Sequence, residues 1–566
     1  MNQRWIIAAP DPARSRALGL PPALAQTLVN RGYRDAESAR RFLHPQLRQL
    51  RDPFELPDMA AAVERIQAGG RVVLYGDYDV DGVTASALLY RVLRAAGADV
   101  QCFLPHRLDE GYGLTADGLN RCLREHRPEL LLAVDCGTTA VAEIAHLQAQ
   151  GVDVIVLDHH EPPAELPACA ALVNPKIVGR ASSPSPANEM DRQDACPTPF
   201  ASVGVAFKLA HALLKRDRAL AARVDLREHL DLVAVGTIAD LVPLTGENRI
   251  LARAGLARLP ATNKAGLRAL LDVAAVPDEV TPAHVGFRIA PRLNAAGRLA
   301  DAMTALKLML TEDGAEARAL AAVLNKHNAD RQQIEEKIVA AALAQAEKFA
   351  ADRVLVLADE SWHAGVIGIA ASRVLQEHYR PVVVIGAGGK GSCRSINGFS
   401  IVGALAACAP WLDRFGGHEM AAGLTVPPGN IGPLRQALNE HAARVLRTED
   451  LAPAVQVDAV VGLGELDAEF FECLRQFEPC GVGNPAPVFA VENVRLRGAP
   501  RVVGKNHLKF FVTDGDTTVE AVWWGRGEAE LPAVLDVAFV PELNDYRGVE
   551  SVVLRVRAVR ASGRSA

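Results

Sequence analysis

The chain has 566 residues, 49% of them hydrophobic and 23% charged, with a formal net charge of −6 at pH 7. That length exceeds what one hydrophobic core serves and predicts about three or four domains, while the composition excludes a disordered or fibrous protein. No stretch reaches about 18 uninterrupted apolar residues, which argues against a membrane span, and the acidic balance means that any nucleic-acid partner needs a local basic groove.

Beyond an N-terminal segment, short apolar runs alternate with amphipathic stretches from about residue 70. RVVLY (71–75) predicts a buried strand and TASALLYRVLRAAG the helix after it. DVQCFL and TADGLNRCLREH repeat the pair, as do LLLAVD and VAEIAHLQAQG, and DVIVLD adds a further strand. Continuous Val/Leu/Ile runs separated by helices of this length predict a parallel sheet covered on both faces. Residues 181–199, ASSPSPANEMDRQDACPTP, predict an exposed loop, and the region from about 200 to 275 is Ala/Leu-rich and helical. The long Pro-free pattern around 312–350 predicts a helical connector between domains, with a plain surface helix as the alternative. VLVLAD (354–359) and PVVVIGA (381–387) predict strands of a second α/β block, with a helix near 364–377 between them. From about residue 455 the texture changes to short β-branched segments with turns, such as HLKFFVTDGDTTVEAVWW and VESVVLRVRAV, predicting a small all-β domain of barrel type.

Acidic residues fall where this pattern places strand ends. The first strand runs into GDYDVDG, a second ends on Asp135, and a third ends in Asp158-His159-His160. Ligands of an open parallel sheet bind outside the carboxyl ends of its strands, so Asp77, Asp79, Asp81, Asp135, His159 and His160 converge on one edge. Asp240, ending the apolar helix DLVAVGTIAD, can approach the same edge. Carboxylates suit Mg²⁺, and imidazole shifts preference toward Mn²⁺ or another transition metal. One or two such ions would serve an in-line phosphoryl displacement. Three structural readings compete. DYDVDG matches the start of an EF-hand loop, but Leu88 stands where the twelfth-position Glu belongs. Each carboxylate could cap the next helix, yet three in DxDxD cannot all be caps. Asp158-His159-His160 could by itself be structural.

GDYDVDG, AVDCGTT, LDHH and VGTIADLVPL together resemble the four motifs of the DHH phosphoesterase superfamily. From about residue 40 onward the chain is similar to the bacterial single-strand-specific 5′→3′ exonucleases of that superfamily. The resemblance implies metal ligands drawn from Asp77, Asp79, Asp81, Asp135, His159 and Asp240, with His160 a further ligand or a neighbour of the scissile phosphate and Asp158 orienting a histidine. It implies Mn²⁺ or Mg²⁺, two ions, and stepwise release of 5′-mononucleotides in recombination and repair. WHAGVIGIAASR, GSCRS and FGGHEMAAG resemble the DHHA1 domain, where Ser392 and Arg394 would hold a terminal phosphate, His418 would offer a further contact, and glycines 388, 389 and 391 would let backbone approach closely. RLNAAGRL (with Arg292, Asn294 and Arg298) and HRLDEGYG (with Arg107) supply arginines for strand phosphates; Arg107 and Arg298 are the candidates. FEPCGVGNPAP (477–487) resembles the way into an oligonucleotide-binding barrel whose Lys505, His507, Lys509, Phe510, Phe511, Trp523 and Trp524 interleave charge with stacking surfaces.

The implied organisation is an N-terminal segment (1–65), a parallel-sheet DHH domain (66–310), a connecting helix (311–350), an α/β DHHA1 domain (351–450) and an OB-like barrel (455–566). The implied partners are single-stranded DNA with a 5′ end, a single-strand-binding protein and a helicase, for a monomeric protein away from membranes. The nine Cys are scattered without a CxxC pair, and the start carries no basic stretch with a long apolar block, which predicts a reduced, cytoplasmic setting. Two rival readings are a DHH nuclease of very short RNA oligomers or cyclic dinucleotides, whose relatives lack the β domain, and a non-enzymatic replication scaffold, for which the filled ligand positions are unsuited.

Overall fold

The computed structural model describes residues 3–106, 110–111, 113–177, 198–546 and 549–563; Arg107 and nearly all of the Ser/Pro-rich 181–199 segment lie outside the described residues. The chain divides into two units, His44–Arg331 with Pro479–Pro485, and Met1–Leu43 with Gln332–Glu478 and Ala486–Ala566.

In the first unit the apolar runs become a five-stranded sheet. Its strands are β1 (Val72–Gly76), β2 (Val100–Phe103), β3 (Leu130–Val134), β4 (Asp153–Leu157) and β5 (Ala171–Val173). All neighbours pair parallel in the order β2-β1-β3-β4-β5. Helices α1 (Val80–Ala95), α2 (Ala116–His126) and α3 (Val141–Ala149) make the crossovers. Both faces are buried: Leu74, Leu132 and Leu157 face one apolar cluster, while Val73, Leu131 and Val156 face another. That explains why these strands read as unbroken apolar runs rather than alternating ones. The order reverses at β1, so β1 and β3 diverge into crossovers on opposite sides and leave a crevice beyond their carboxyl ends. Four further helices matter to that crevice: α4 (Ser202–Arg216), α5 (Leu230–Ala239), α6 (Gly246–Arg258) and α7 (Ala290–Leu299). The Pro-free pattern folds as one 35-residue helix, α8 (Gly314–Lys348).

In the second unit a mixed sheet runs β9-β10-β8-β7-β6. It consists of β6 (Leu355–Ala358), β7 (Val382–Ile385), β8 (Lys390–Arg394), β9 (Arg414–Gly417) and β10 (Ala421–Thr425), with α9 (Ile367–His378) between β6 and β7. Only β6 and β7 pair parallel; the rest are antiparallel. The last sheet contains β11 (Phe489–Leu496), β12 (Arg501–Val503), β13 (His507–Thr513), β14 (Thr518–Trp523), β15 (Val534–Tyr546) and β16 (Val549–Ala561). Pairings β11–β15, β15–β16, β16–β14, β14–β13 and β13–β11 return to their start, so five strands close into a barrel. Among the described residues no helix is long and apolar enough to cross a membrane.

Candidate metal centre

The centre is assembled at the β1/β3 crevice. Asp77 directly follows β1, and its amide donates to the Val134 carbonyl at 3.1 Å, fixing the loop to the neighbouring strand. Asp79 caps α1, its Oδ1 accepting from the amides of Asp81 (2.9 Å) and Gly82 (3.1 Å). The capping alternative is therefore true of this one residue. Gly82 is required by crowding, since a Cβ there would stand 2.5 Å from the Asp77 carbonyl oxygen.

Asp81 lies inside the first turn of α1 and is 1% exposed. Its carboxylate accepts from the amides of Ser202 (2.6 Å) and Val203 (2.9 Å), the first residues of α4. A helix N-terminus offers unsatisfied N–H groups and a favourable dipole to such a carboxylate. Asp135 follows β3 in the left-handed region, φ 65°, and accepts from the Ser202 hydroxyl at 2.9 Å. Ser202 thus ties two acidic residues to one helix start. The sequence signal was a Ser opening the Ala/Leu-rich helix, but nothing in it said which carboxylates the helix would meet.

His159 leaves β4 with its Nε2 at 3.3 Å from Asp135 Oδ1, 3.5 Å from Asp240 Oδ2 and 3.9 Å from Asp81 Oδ2. Burial, and then the charge of His160, pushes the His159 imidazole down to about 4, so it is neutral at pH 7. Burial pushes Asp240 up to about 7, with Asp79 adding repulsion. Asp81 and Asp135 are likewise held well above the carboxylate range by burial and by neighbouring carboxylates. His159 Nε2 and Asp240 Oδ2 are buried with no hydrogen-bond partner. Buried polar atoms are normally satisfied, and these two point among carboxylates that repel one another. A cation answers both problems. The groups Asp77/Asp79/Asp135, Asp81/His159/Asp240 and Asp135/His159/His160 each bring three donor atoms within 4.8 Å of one another, and the mixed oxygen and imidazole set suits Mg²⁺ or Mn²⁺.

Asp158 plays a different part. Its Oδ1 accepts from the amides of His159 (2.7 Å) and His160 (3.2 Å) and from His160 Nδ1 (2.7 Å), while Oδ2 accepts from the Thr138 amide at 3.0 Å. Burial opposes ionisation, but His160 and Thr138 overcome it and hold the carboxyl well below its ordinary value. The Asp158 hydrogen bond in turn raises His160 to about 9 against its own burial. The expected histidine-orienting role falls on His160, whose side chain is half-exposed beside the crevice.

Of the arginine motif, Asn294 Oδ1 accepts from the Val80 amide at 3.2 Å, and a Cβ at Gly297 would stand 2.9 Å from Tyr78. Helix α7 therefore rests on the acidic loop. Arg298, four residues after Asn294 on the same helical face, is half-buried there. Arg292 turns toward α8 instead, donating to Asn325 Oδ1 at 2.9 Å and to the Arg288 carbonyl.

In the second unit the GSCR of GSCRS completes strand β8, which ends at Arg394. Arg394 donates from Nη1 to Ser392 Oγ at 3.3 Å and from Nε to Ser372 Oγ at 3.2 Å. Gly368, in the first turn of α9, lets the helix lie against this pair. Two of the three glycines have a structural cause for their size: a Cβ at Gly389 would meet the Val426 carbonyl at 2.1 Å, and one at Gly391 would meet Leu424 Cδ1 at 2.6 Å. His418 is exposed in the turn between β9 and β10. On the barrel, strand alternation separates Phe510 (2% exposed) from Phe511 (41%), and Trp524 is 59% exposed beside His507. Trp523, Trp524, Arg526, Glu542, Arg555 and Arg557 line a depression of about 440 Å³.

Three family models match the chain: "DHH family, N-terminal domain" over residues 71–237, "DHHA1 domain" over 347–444 and "RecJ OB domain" over 457–558. Single-stranded-DNA-specific exonuclease RecJ of Bacillus subtilis is 38% identical over 94% of this chain and 66% of its own length. The Thermus thermophilus protein of that name is 38% identical over 98% of this chain and 78% of its own. The chain thus spans about two thirds to three quarters of these relatives. The crystal structure of the Thermus protein with Mn²⁺ superposes at TM-score 0.84, with 34% identity, covering 100% of this chain and 81% of that one. Its Mg²⁺ complex superposes at 0.77, with 32% identity and coverage of 99% and 79%.

Proposed function

This chain belongs to the RecJ family of single-stranded-DNA-specific exonucleases, and we propose that it removes 5′-mononucleotides one after another from a 5′ end. It is a metal-dependent exonuclease of the DHH hydrolases, using Mn²⁺ or Mg²⁺. The observation that carries the reading is the pair of unsatisfied buried atoms, His159 Nε2 and Asp240 Oδ2, inside a ring of ionisable carboxylates. Asp77, Asp79, Asp81, Asp135, His159 and Asp240 would hold two ions. When bound, such ions lower the pKa of an attacking water and neutralise the developing charge on the phosphodiester.

The chain's own groups supply the rest. His160, kept protonated by Asp158, presents Nε2–H to a non-bridging oxygen of the scissile phosphate. Ser392, Arg394 and His418 receive the terminal 5′-phosphate, Arg394 being held in place from Nε by Ser372 and from Nη1 by Ser392 and the Cys393 carbonyl, with Nη2 turned to the phosphate. Arg298 and Arg107 hold strand phosphates, Arg107 lying outside the described residues. The barrel binds single-stranded DNA. The setting is the cytoplasm, the protein acts as a monomer, and its partners are a single-strand-binding protein and a helicase of recombination and repair.

A 5′-³²P-labelled 30-mer tests polarity and unit of release. The label appears first as mononucleotide, and Arg394→Ala slows hydrolysis of a 5′-phosphorylated strand more than of a 5′-hydroxyl strand. Label retained in shortening oligomers would mean attack from the 3′ end. Exclusive cleavage of a dinucleotide would instead favour the short-oligomer nucleases of this superfamily.

A further inference from the structure

FEPCGVGNPAP was expected to lead into the barrel, and the OB family match includes it. Structurally, Pro479–Pro485 belongs with the unit that carries the metal centre. Gly481 and Asn484 exchange backbone hydrogen bonds of 2.8 and 3.2 Å, and Asn484 Nδ2 donates to the Pro479 carbonyl at 2.9 Å, which folds the segment into a tight staple. The staple grips residues 243–249. The Leu244 amide donates to the Val482 carbonyl at 2.7 Å, and the buried guanidinium of Arg249 donates to the Pro479 carbonyl at 3.1 Å. Gly483 has φ 70°, and a Cβ there would stand 2.8 Å from Pro243 Cβ and 3.2 Å from its Cα.

Residues 241–245 are the loop that leaves Asp240 at the end of α5, with Leu241 at φ 62°. Asn248 ties the same loop to the start of α4, since its Nδ2 donates to the carbonyls of Pro243 (3.1 Å) and Pro199 (2.9 Å). Helix α4 in turn anchors Asp81 and Asp135. We propose that Pro479–Pro485 is a positioning segment: by clamping residues 243–249 it fixes Asp240 against His159, so divalent-ion affinity depends on a staple lying about 240 residues downstream. The proposal rests on reading Asp240 as a ligand. Groups that orient ligands typically affect metal affinity by about 10–100-fold.

Mn²⁺ binding to the full chain, followed by loss of the free-ion EPR signal, tests it without any turnover. Gly483→Ala raises the Mn²⁺ Kd about tenfold or more, and hydrogen exchange shows lost protection at the Leu244 amide. Gly498→Ala is the control, because Gly498 has a matching φ of 79° with nothing within 4 Å of its would-be Cβ; it binds Mn²⁺ as the parent does. Parental affinity in Gly483→Ala overturns the proposal, as does weakened affinity with Leu244 protection intact or an equal loss in Gly498→Ala. Asp240→Asn separates the two layers: if it binds Mn²⁺ as the parent does, the ligand reading fails rather than the clamp.

Discussion

Asp81 has both carboxylate oxygens engaged by amides, yet burial and the neighbouring Asp240 and Asp79 still disfavour its charge. Hydrogen bonds orient it; a bound cation would make its ionised form stable. Asp81→Asn is nearly isosteric but removes that charge and turns an NH₂ group toward at least one of the two amide donors. Since disturbing an orienting partner alone costs about 10–100-fold, loss of Asp81 should lower hydrolysis of a single-stranded 30-mer by at least about a hundredfold. Circular dichroism of the variant should match the parent; activity within a few-fold of it would remove Asp81 from the centre. His160 gives a prediction in pH. Its folded value, about 9, lies above the ordinary 6.5 because Asp158 favours the cation. The folded state therefore holds a proton that the unfolded state releases between these values, so the Asp158 contact is fully present below 6.5 and is lost as pH rises through about 9. In metal-free protein, histidine titration by NMR should find His160 near 9, and Asp158→Asn should bring it well down from there, burial then being opposed only by the charges of Asp240 and Asp77. A His160 titration unchanged in Asp158→Asn would refute the pairing.

At the scale of elements, much of the centre was legible because it rests on strand ends. Apolar runs buried on both faces announce parallel strands, and a carboxylate after each run can only lie at the sheet's edge; hence Asp77, Asp135 and Asp158 were placed by pattern. What the pattern could not supply were partners joined across long sequence separations. Ser202 reaches Asp135 and Asp81, Asn294 reaches Val80, and Pro479–Pro485 grips the loop after Asp240; each depends on tertiary packing that one-dimensional periodicity does not encode. Strand β8 was not legible for a related reason, since KGSCR and its neighbour β10, AAGLT, carry little of the β-branched signal that marks a strand. Which β-domain aromatics are exposed was settled only by register, which places Phe510 inward and Phe511 outward. Helix α5 shows how packing then places Asp240. Its neighbour α6 approaches so closely at Gly255 that a Cβ would stand 2.1 Å from the Leu230 carbonyl and 2.6 Å from Ala234 Cβ. Gly255→Ala must push the two helices apart, and overpacking of this kind costs typically about 1–3 kcal/mol. The expected loss in urea-unfolding free energy lies in that range and comes with weaker Mn²⁺ binding, because α5 ends on Asp240. A variant as stable as the parent would show that the contact relaxes without moving the helix.

For the molecule as a whole, a net charge of −6 has to coexist with a polyanionic substrate. One surface suited to such a substrate is on the barrel, where Arg526, Arg555 and Arg557 gather around Trp523 and Trp524, with Glu542 paired to Arg555 at 2.9 Å. On the proposed function, chemistry and strand capture fall to different units, and their effects should separate in kinetics. Trp524, 59% exposed, contributes little to the barrel core, so its large apolar surface is better explained by stacking on bases. Aromatic–base stacking is worth about 1–3 kcal/mol per base, and about 1.4 kcal/mol is a factor of ten in affinity. Trp524→Ala should therefore weaken binding of a 30-mer by roughly five- to a hundredfold while leaving the melting temperature close to the parent's. Hydrolysis of a dinucleotide, too short to need the barrel, should proceed at the parental rate. Equal losses on both substrates would mean that Trp524 supports the metal centre, and no loss on either would mean that the strand follows another face of the barrel.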